Sequence, residues 1–236
     1  MPPVALVTGA TSGIGLATAT LLAQHGYALA ISGRTQKRLD DAARTLSPTS
    51  STHPADLSDP DQAGPLVDAV LARHGRLDVI INNAGWSPSA TIPQTTPEIA
   101  TRVFGLNAIS PTLIIARAWP TLVAQAQRDG TKAVIVNVSS IATRDPFPML
   151  FAYAAAKSSL NSLALSVARQ GAPHGIRGFA VAPGSVETPL LRSLVDETSV
   201  PQSRTLAPAD VAQVILACVL GHRDHDNGST IFLPSE

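Results

Sequence analysis

Short apolar runs recur along the chain at 4–7, 28–32, 77–81, 133–138 and 177–182, with weaker ones near Thr52 and at 229–233. The stretches between them carry apolar residues at helical spacing, at 14–25, 36–44, 59–74, 95–127, 153–171 and around Cys218. Runs that short and that uniformly apolar suit strands buried on both faces, and strands separated by helices imply parallel βαβ units with right-handed crossovers. The pattern predicts an α/β chain, a doubly wound parallel β-sheet of about seven strands with helices on both faces. Gly26 ends the first helix as its C-cap, and Pro208-Ala209-Asp210 opens the last. Pro111 and Pro120 fall inside the long helical region; each removes a helix hydrogen bond, so a kink or break is expected near both. No linker, repeat or low-complexity tract interrupts the sequence, so 1–236 reads as a single domain with a short Pro-flanked segment at 189–207.

Polar residues gather where the predicted strands end, which is where ligands collect in open α/β sheets. The first strand runs into Thr8-Gly9-Ala10-Thr11-Ser12-Gly13-Ile14-Gly15. Its glycines let the backbone turn tightly and approach a pyrophosphate, whose charge the N-terminus of the next helix favours. The spacing departs from the G-x-G-x-x-G fingerprint, but its place between a strand and a helix makes a Rossmann-like dinucleotide site the expectation. The second strand ends in Ser32-Gly33-Arg34, where that fingerprint puts an acid on the ribose 2′-hydroxyl for NAD. An Arg with no carboxylate beside it suits a 2′-phosphate instead, so NADP(H) is favoured over NAD(H). The fourth strand exits into Asn82-Asn83-Ala84-Gly85, where small and amide side chains let a ligand pass close to the backbone. The fifth ends near Ser140, upstream of Tyr153-Ala-Ala-Ala-Lys157. Positions four apart share a helix face, so Lys157 is placed to stabilise a Tyr153 phenolate and lower a pKa that starts near ~10. That is general acid/base chemistry suited to a carbonyl/alcohol pair.

Composition narrows the classes. Charged residues are 14% and hydrophobic ones 44%, so surface is scarce relative to core, a deficit that a buried interface between subunits would explain. The 17 basic and 17 acidic residues cancel to +0, which disfavours electrostatic binding of nucleic acid or anionic membrane. The lone Cys218, in an apolar helical run, reads as a core residue rather than a nucleophile. No apolar segment is read as reaching the ~18 residues of a membrane span, and the N-terminus enters a strand directly. The expectation is a cytoplasmic protein.

Taken in order, Thr8-Gly9-x-x-x-Gly13-Ile14-Gly15, Asp56, Asn82-Asn83-Ala84-Gly85, Asn107, Ser140, Tyr153-x-x-x-Lys157 and Pro183-Gly184 resemble the motifs of the short-chain dehydrogenase/reductase family over nearly the whole chain. The separation of Ser140 from Tyr153 matches as well. The resemblance implies an NAD(P)-dependent oxidoreductase that moves a hydride between a nicotinamide cofactor and a small carbonyl or alcohol compound. Tyr153 would be the acid in reduction and the base in oxidation, Lys157 would lower its pKa and bind the nicotinamide ribose, and Ser140 would hold the substrate oxygen. Asn107 would position a water that relays protons to Lys157. By the same resemblance the turn from Gly9 through Thr11, Ser12, Gly13, Ile14 and Gly15 holds the pyrophosphate, Asp56 and Leu57 flank the adenine, and Asn83, Ala84 and Gly85 flank its ribose. Beyond Pro183 and Gly184, Val186 and Thr188 would fix the carboxamide. Ser12 stands where many NADP-preferring relatives carry a basic residue, which leaves the 2′-phosphate to Arg34. The substrate segment at 189–207 is short, implying a small lid and an open pocket, or one closed by a neighbouring subunit. A homodimer or homotetramer is expected from the low charge, the Ala/Ser-rich helix after Tyr153 and what is usual in the family.

Other residues read two ways. The apolar members of the loop carrying Arg144, Asp145, Phe147, Met149, Leu150 and Phe151 either line a pocket for a hydrophobic carbonyl compound or pack against the long helices; Arg144 reads as solvated. Trp86 either overhangs the substrate or anchors its own loop. His222-Arg-Asp-His225-Asp226 reads as a polar turn, not a metal site. The alternative class is a non-catalytic dinucleotide-binding sensor or scaffold of the same fold. The intact set of Ser140, Tyr153, Lys157 and Asn107 favours the enzyme, because a binder needs no activated phenol. A 3-oxoacyl thioester reductase, a sugar or polyol dehydrogenase and a steroid or xenobiotic carbonyl reductase are all compatible.

Overall fold

The computed structural model describes residues 1–46 and 50–234. Its strands are β1 (Val4–Thr8), β2 (Ala28–Gly33), β3 (Ser51–Pro54), β4 (Val79–Asn82), β5 (Val134–Val138), β6 (Arg177–Pro183) and β7 (Thr230–Leu233). Its α-helices are α1 (Gly13–Gln24), α2 (Gln36–Ala43), α3 (Ala63–His74), α4 (Pro97–Phe104), α5 (Ser110–Asp129), α6 (Phe151–Gly171), α7 (Pro189–Leu194) and α8 (Pro208–Val219). The strands form one sheet in the order β3-β2-β1-β4-β5-β6-β7, parallel throughout, as the alternation of elements predicts.

Successive side chains on a strand point to opposite faces, and both faces here are apolar. Val7, Ile31, Ile81, Val136 and Val181 pack beneath α1, α2 and α8. Leu6, Ala30, Ile80 and Ile135 pack beneath α3, α5 and α6. The opposite, amino-terminal edge of the sheet is closed by polar pins. Asp78, 4% exposed, accepts the Val4 N–H at 2.7 Å and a two-pronged bond from Arg76 at 2.8 and 2.6 Å. Gln125 on α5 bonds both the N–H and the carbonyl of Leu77, at 3.0 and 2.8 Å.

The long helical region breaks as expected near Pro111. Between α4 and α5 the residues Gly105–Ile109 form a π-turn, in which the Ser110 N–H reaches back to the Gly105 carbonyl. At Pro120 the expectation fails, because α5 runs on through it without interruption. The helix is held on either side of the proline, by Ala118 and Leu122 in the core and by the Gln125 bonds, and this packing outweighs one missing backbone bond. The helical stretch Pro97–Asp129 holds an 18-residue window of mean hydropathy 1.4 and is by length and composition apolar enough to cross a membrane, contrary to the sequence reading. Its apolar stripe of Ile114, Ile115, Ala118 and Leu122 is spent on the core instead. Part of the small-residue stripe on α6 is also used within the chain, where Ala152 and Ala156 pack against Val103 and Ala108.

Helix α6 approaches β6 at Gly178, where an added Cβ would lie 2.6 Å from the Ala164 carbonyl oxygen and 2.7 Å from the Val167 Cβ. Gly178→Ala is therefore expected to cost about 1–3 kcal/mol through overpacking. Gly64→Ala on α3, where a Cβ meets nothing within 4 Å, should instead stabilise by about 0.5–1 kcal/mol. Urea denaturation of both variants checks the pair, and a Gly178→Ala protein as stable as the parent would mean that the helix and strand do not sit this tightly.

Candidate active site

The strand order reverses between β1 and β4, and a cleft of about 880 Å³ opens above their carboxyl ends. The two strand ends are bound to each other at its floor. The Thr8 hydroxyl accepts the N–H groups of Asn83 and Ala84, both at 3.0 Å, and the Asn83 amide donates to the carbonyls of Thr8 and Gly9 at 2.8 and 3.2 Å. Gly9 and Gly13 turn the chain with φ of +66° and +54°, the left-handed region that side chains disfavour. Gly15 closes the turn on itself, since a Cβ there would lie 2.4 Å from the Gly9 carbonyl oxygen. At the mouth of this turn α1 begins with a Ser12 cap that makes no side-chain bond to the helix and no acid in the first turn. Its backbone N–H groups are thus left for an anion. A glycine cradle open to an uncapped helix start fits a dinucleotide pyrophosphate.

Farther along the same wall lie Arg34, Asp56 and Leu57. Burial pushes the Asp56 carboxyl up, but bonds from the Ser58 hydroxyl and N–H, both to Oδ1, together with Arg34 and Arg102 nearby, hold it below the usual carboxylate range. Arg38 also lines the cleft, one turn beyond Arg34, and sequence reasoning missed it. The four-residue spacing was the available signal, hidden by reading 36–44 as an ordinary solvated helix.

At the far end of the floor stand Ser140, Tyr153 and Lys157. Ser140 leaves β5 as the cap of a single 3₁₀ turn, Ile141–Thr143, its Oγ accepting the Ala142 N–H at 3.2 Å and sharing a hydrogen bond with the Tyr153 hydroxyl. Lys157, 3% exposed, donates from Nζ to the Val138 carbonyl at 2.7 Å and lies 5.7 Å from the centre of the Tyr153 ring. Burial pushes the Tyr153 phenol up to about 12, the Ser140 bond only partly opposing it. The expected lowering of that pKa by Lys157 is not what this structure gives. Burial also brings Lys157 down to about 7, so the cation that would favour the phenolate is itself weakened.

The other cofactor-site residues named from the sequence, Gly15 excepted, lie on the cleft wall: Gly9, Thr11, Ser12, Gly13, Ile14, Asn83, Ala84, Gly85, Pro183, Gly184, Val186 and Thr188. Gly15 and Asn107 stand behind it. Asn107 gives its amide hydrogens to the carbonyls of Trp86 and Val103, at 2.8 and 2.9 Å, and accepts the Trp86 N–H at 3.3 Å. That side chain holds the wall. Gly85 fits because a Cβ there would lie 2.9 Å from the Asn107 Oδ1 and 3.3 Å from the Lys157 Nζ.

The ambiguous residues separate. Trp86 lines the cleft with the Arg102 guanidinium 4.2 Å from its ring centre. Phe147, Met149 and Leu150 line it too, whereas Arg144 turns away onto the Phe232 ring, 5.6 Å from its centre. The segment after Thr188 covers the opening with α7, which Thr188 caps by accepting the Leu191 N–H at 3.2 Å. Cys218 is buried and its thiol is pushed up to about 12 by that burial. In the polar turn at 222–226, Asp224 pairs with Arg177 and Asp226 with Arg223.

The family model for the short chain dehydrogenases matches residues 3–199. Among curated relatives, the chain is 32% identical to the 3-oxoacyl-(acyl-carrier-protein) reductase of Thermotoga maritima, over 97% of this chain and 94% of that protein. It is 36% identical to the cis-4-hydroxycyclohexanecarboxylate dehydrogenase of Sinomonas cyclohexanicum, over 90% and 87% of the two. A solved structure of 3-ketoacyl-(acyl-carrier-protein) reductase from Brucella melitensis, complexed with NADH, superposes with a TM-score of 0.91 at 29% identity, covering 98% of this chain and 96% of that one. With the glycine turn, the Asn-Asn-Ala-Gly strand exit and the Ser140, Tyr153 and Lys157 group on one cleft, the chain belongs to the short-chain dehydrogenase/reductase family.

Proposed function

We propose that this enzyme reduces a carbonyl compound at the Ser140 end of the cleft, with Tyr153 as the proton donor and NADP(H) as the favoured cofactor. The observation that carries the reading is the hydrogen-bonded pair of Ser140 and Tyr153 beside buried Lys157, at the end of a cleft whose other end is a glycine cradle. We read 1–236 as one dinucleotide-binding and catalytic domain, with 189–207 as its substrate segment.

A nicotinamide bound in the cleft supplies the hydride for reduction, or takes it in oxidation. The residues present do the rest. Ser140 Oγ and Tyr153 Oη hold the carbonyl oxygen, so that the carbon is presented in one orientation. As the C=O π bond breaks and charge grows on that oxygen, the Tyr153 proton passes to it and the product is the alcohol. A phenol held at about 12 is neutral at any physiological pH and is therefore loaded as a donor. Running the step backwards asks Tyr153 to give up that proton before it takes one from the alcohol. The Lys157 ammonium passes a proton to the tyrosinate left behind and is itself reprotonated through a water positioned by Asn107. Asp56 and Leu57 are placed for the adenine, Asn83 to Gly85 for its ribose, and Val186 and Thr188 for the carboxamide. The relatives' names speak of 3-oxoacyl, 3-ketoacyl and hydroxycyclohexane compounds, each a keto or hydroxyl substrate. The Brucella protein is complexed with NADH; for this chain the preference for NADPH rests on Arg34 and Arg38, two guanidiniums at the adenine end. A homo-oligomer is supported by Phe104, Ile109 and Leu113, apolar and exposed on neighbouring turns of the helical stretch from α4 to α5.

Thermal-shift titration with NADP and NAD, run with Tyr153→Phe and Arg34→Ala/Arg38→Ala alongside the parent, checks the cofactor and the donor together. Cofactor at ~100 times its dissociation constant stabilises by about 2.7 kcal/mol. NADP should shift the parent more than NAD, the double Arg variant should lose that difference, and Tyr153→Phe should keep the shift while losing turnover by a factor of about 1,000 or more. Substantial turnover by Tyr153→Phe would sink the mechanism.

Lys157 supplies a pH dependence of stability. Its pKa is about 7 folded against 10.5 unfolded, so the unfolded chain takes up the proton first as pH falls. Relative to Lys157→Met, the parent should lose stability progressively from about pH 10.5 down to about pH 7, with a constant gap below that. Urea midpoints of both proteins across that range would show it; a gap that does not move with pH contradicts a buried, destabilised ammonium.

Sedimentation at micromolar concentration is expected to show a dimer or tetramer, and a monomer alone would refute the oligomer.

A further inference from the structure

We propose that the substrate half of the cleft takes an uncharged ketone or secondary alcohol with an apolar group beside the reacting carbon, and rejects an oxo acid. This rests on the reading of Ser140 and Tyr153 as the reacting end.

Two segments wall that half. The loop after Ser140 contributes Phe147, Met149 and Leu150, and the segment around α7 contributes Leu190, Leu191 and Leu194. The same segments are rich in charge, yet none of their charged residues lines the cleft. Arg144 lies over Phe232. Arg192 is bound by two prongs to Glu187 and donates to the Val200 carbonyl at 2.8 Å. Asp196 accepts the Thr198 hydroxyl and the Ser199 N–H, both at 2.8 Å. These bonds occupy the ions within the segment, so the leucines and not the ions line the cleft.

The cations that do line the cleft are committed elsewhere. Arg34 and Arg38 stand at the dinucleotide end, and Arg102 is stacked on Trp86 within electrostatic reach of Asp56 at that same end. Lys157 Nζ is bonded to the Val138 carbonyl. A carboxylate close to the reacting carbonyl would be stripped of water among apolar side chains with no cation to meet it, a heavy penalty. An alkyl or aryl group in the same place gains from burial.

Methyl isoamyl ketone and levulinate test this, because the carboxylate of the second replaces the terminal isopropyl group of the first at nearly constant shape. Oxidation of NADPH and of NADH is followed with each. The expected result is a kcat/KM for the ketone higher by about 100-fold or more. Leu194→Lys, which puts an ammonium in the wall, should narrow that ratio by about tenfold or more. If levulinate is used as well as the ketone or better, the proposal is overturned while the oxidoreductase mechanism stands. A ratio unchanged in a folded Leu194→Lys protein overturns the assignment of this wall to the substrate. Turnover of neither compound, in a protein whose melting point still responds to the dinucleotide, overturns the reading of the Ser140 end on which the proposal rests. Should the Leu194→Lys variant fail to fold, the parent's ratio decides alone.

Discussion

The hydroxyl of Thr8, 1% exposed, ties together the two strand ends between which the cleft opens. It accepts the N–H groups of Asn83 and Ala84, which end β4, from its own place at the end of β1. Neighbouring parallel strands share bonds along their lengths, but at a reversal of strand order the connections leave in opposite directions and nothing in the ladder holds their ends. Thr8 and the Asn83 amide do so, and in consequence the glycine turn on one side and the Asn-Asn-Ala-Gly exit on the other are set at fixed separation. The cradle for an anion and the wall beside Lys157 are thus one rigid unit rather than two mobile loops.

The chemistry at the other end is shaped by burial more than by pairing. Lys157 is buried and Tyr153 half-buried on the cleft wall, and desolvation drives the two apart, the phenol up and the ammonium down, because each is pushed toward its neutral form. Among the described residues no carboxylate lies against the lysine to offset this; its partner is the Val138 carbonyl. A buried ammonium held only by neutral dipoles is a costly element, and such costs tend to be kept where charge must appear during a reaction. On the proposed mechanism, the arrangement gives a proton donor that is loaded at neutral pH and a cation that charges most readily when negative charge arises beside it.

Much of this was legible in the sequence, for identifiable reasons. Strands buried on both faces write themselves as unbroken apolar runs, so β1, β2, β4, β5 and β6 stand out, and β3, whose four residues Ser51–Pro54 include three polar ones, reads only weakly. The glycine turn, Ser140, Tyr153 and Lys157 are visible because their spacing is fixed by local geometry. What failed to show depends on long-range contact. The continuity of α5 through Pro120 is secured by Gln125 bonding to Leu77, 48 residues away in sequence. The saturation of the Asn107 side chain by Trp86 and Val103, and the raised phenol of Tyr153, follow from what packs around them. Arg38 is the exception, near enough to Arg34 for spacing to have suggested it.

The cleft joins two environments that need opposite kinds of wall. At the dinucleotide end an anion must be held in water's place, and the chain supplies backbone N–H groups, guanidiniums and an ionised Asp56. At the substrate end the charge develops only transiently on one oxygen, and a wall with fixed charges of its own would compete with that event or stabilise the wrong ground state. Glu187, Arg192 and Asp196 show how the chain keeps such charges out without deleting them. Each is bonded to a neighbour within its own segment and none of them lines the cleft, whereas Leu190, Leu191 and Leu194 do. The polarity of the cleft is therefore set less by which residues the segment contains than by which of them already have partners.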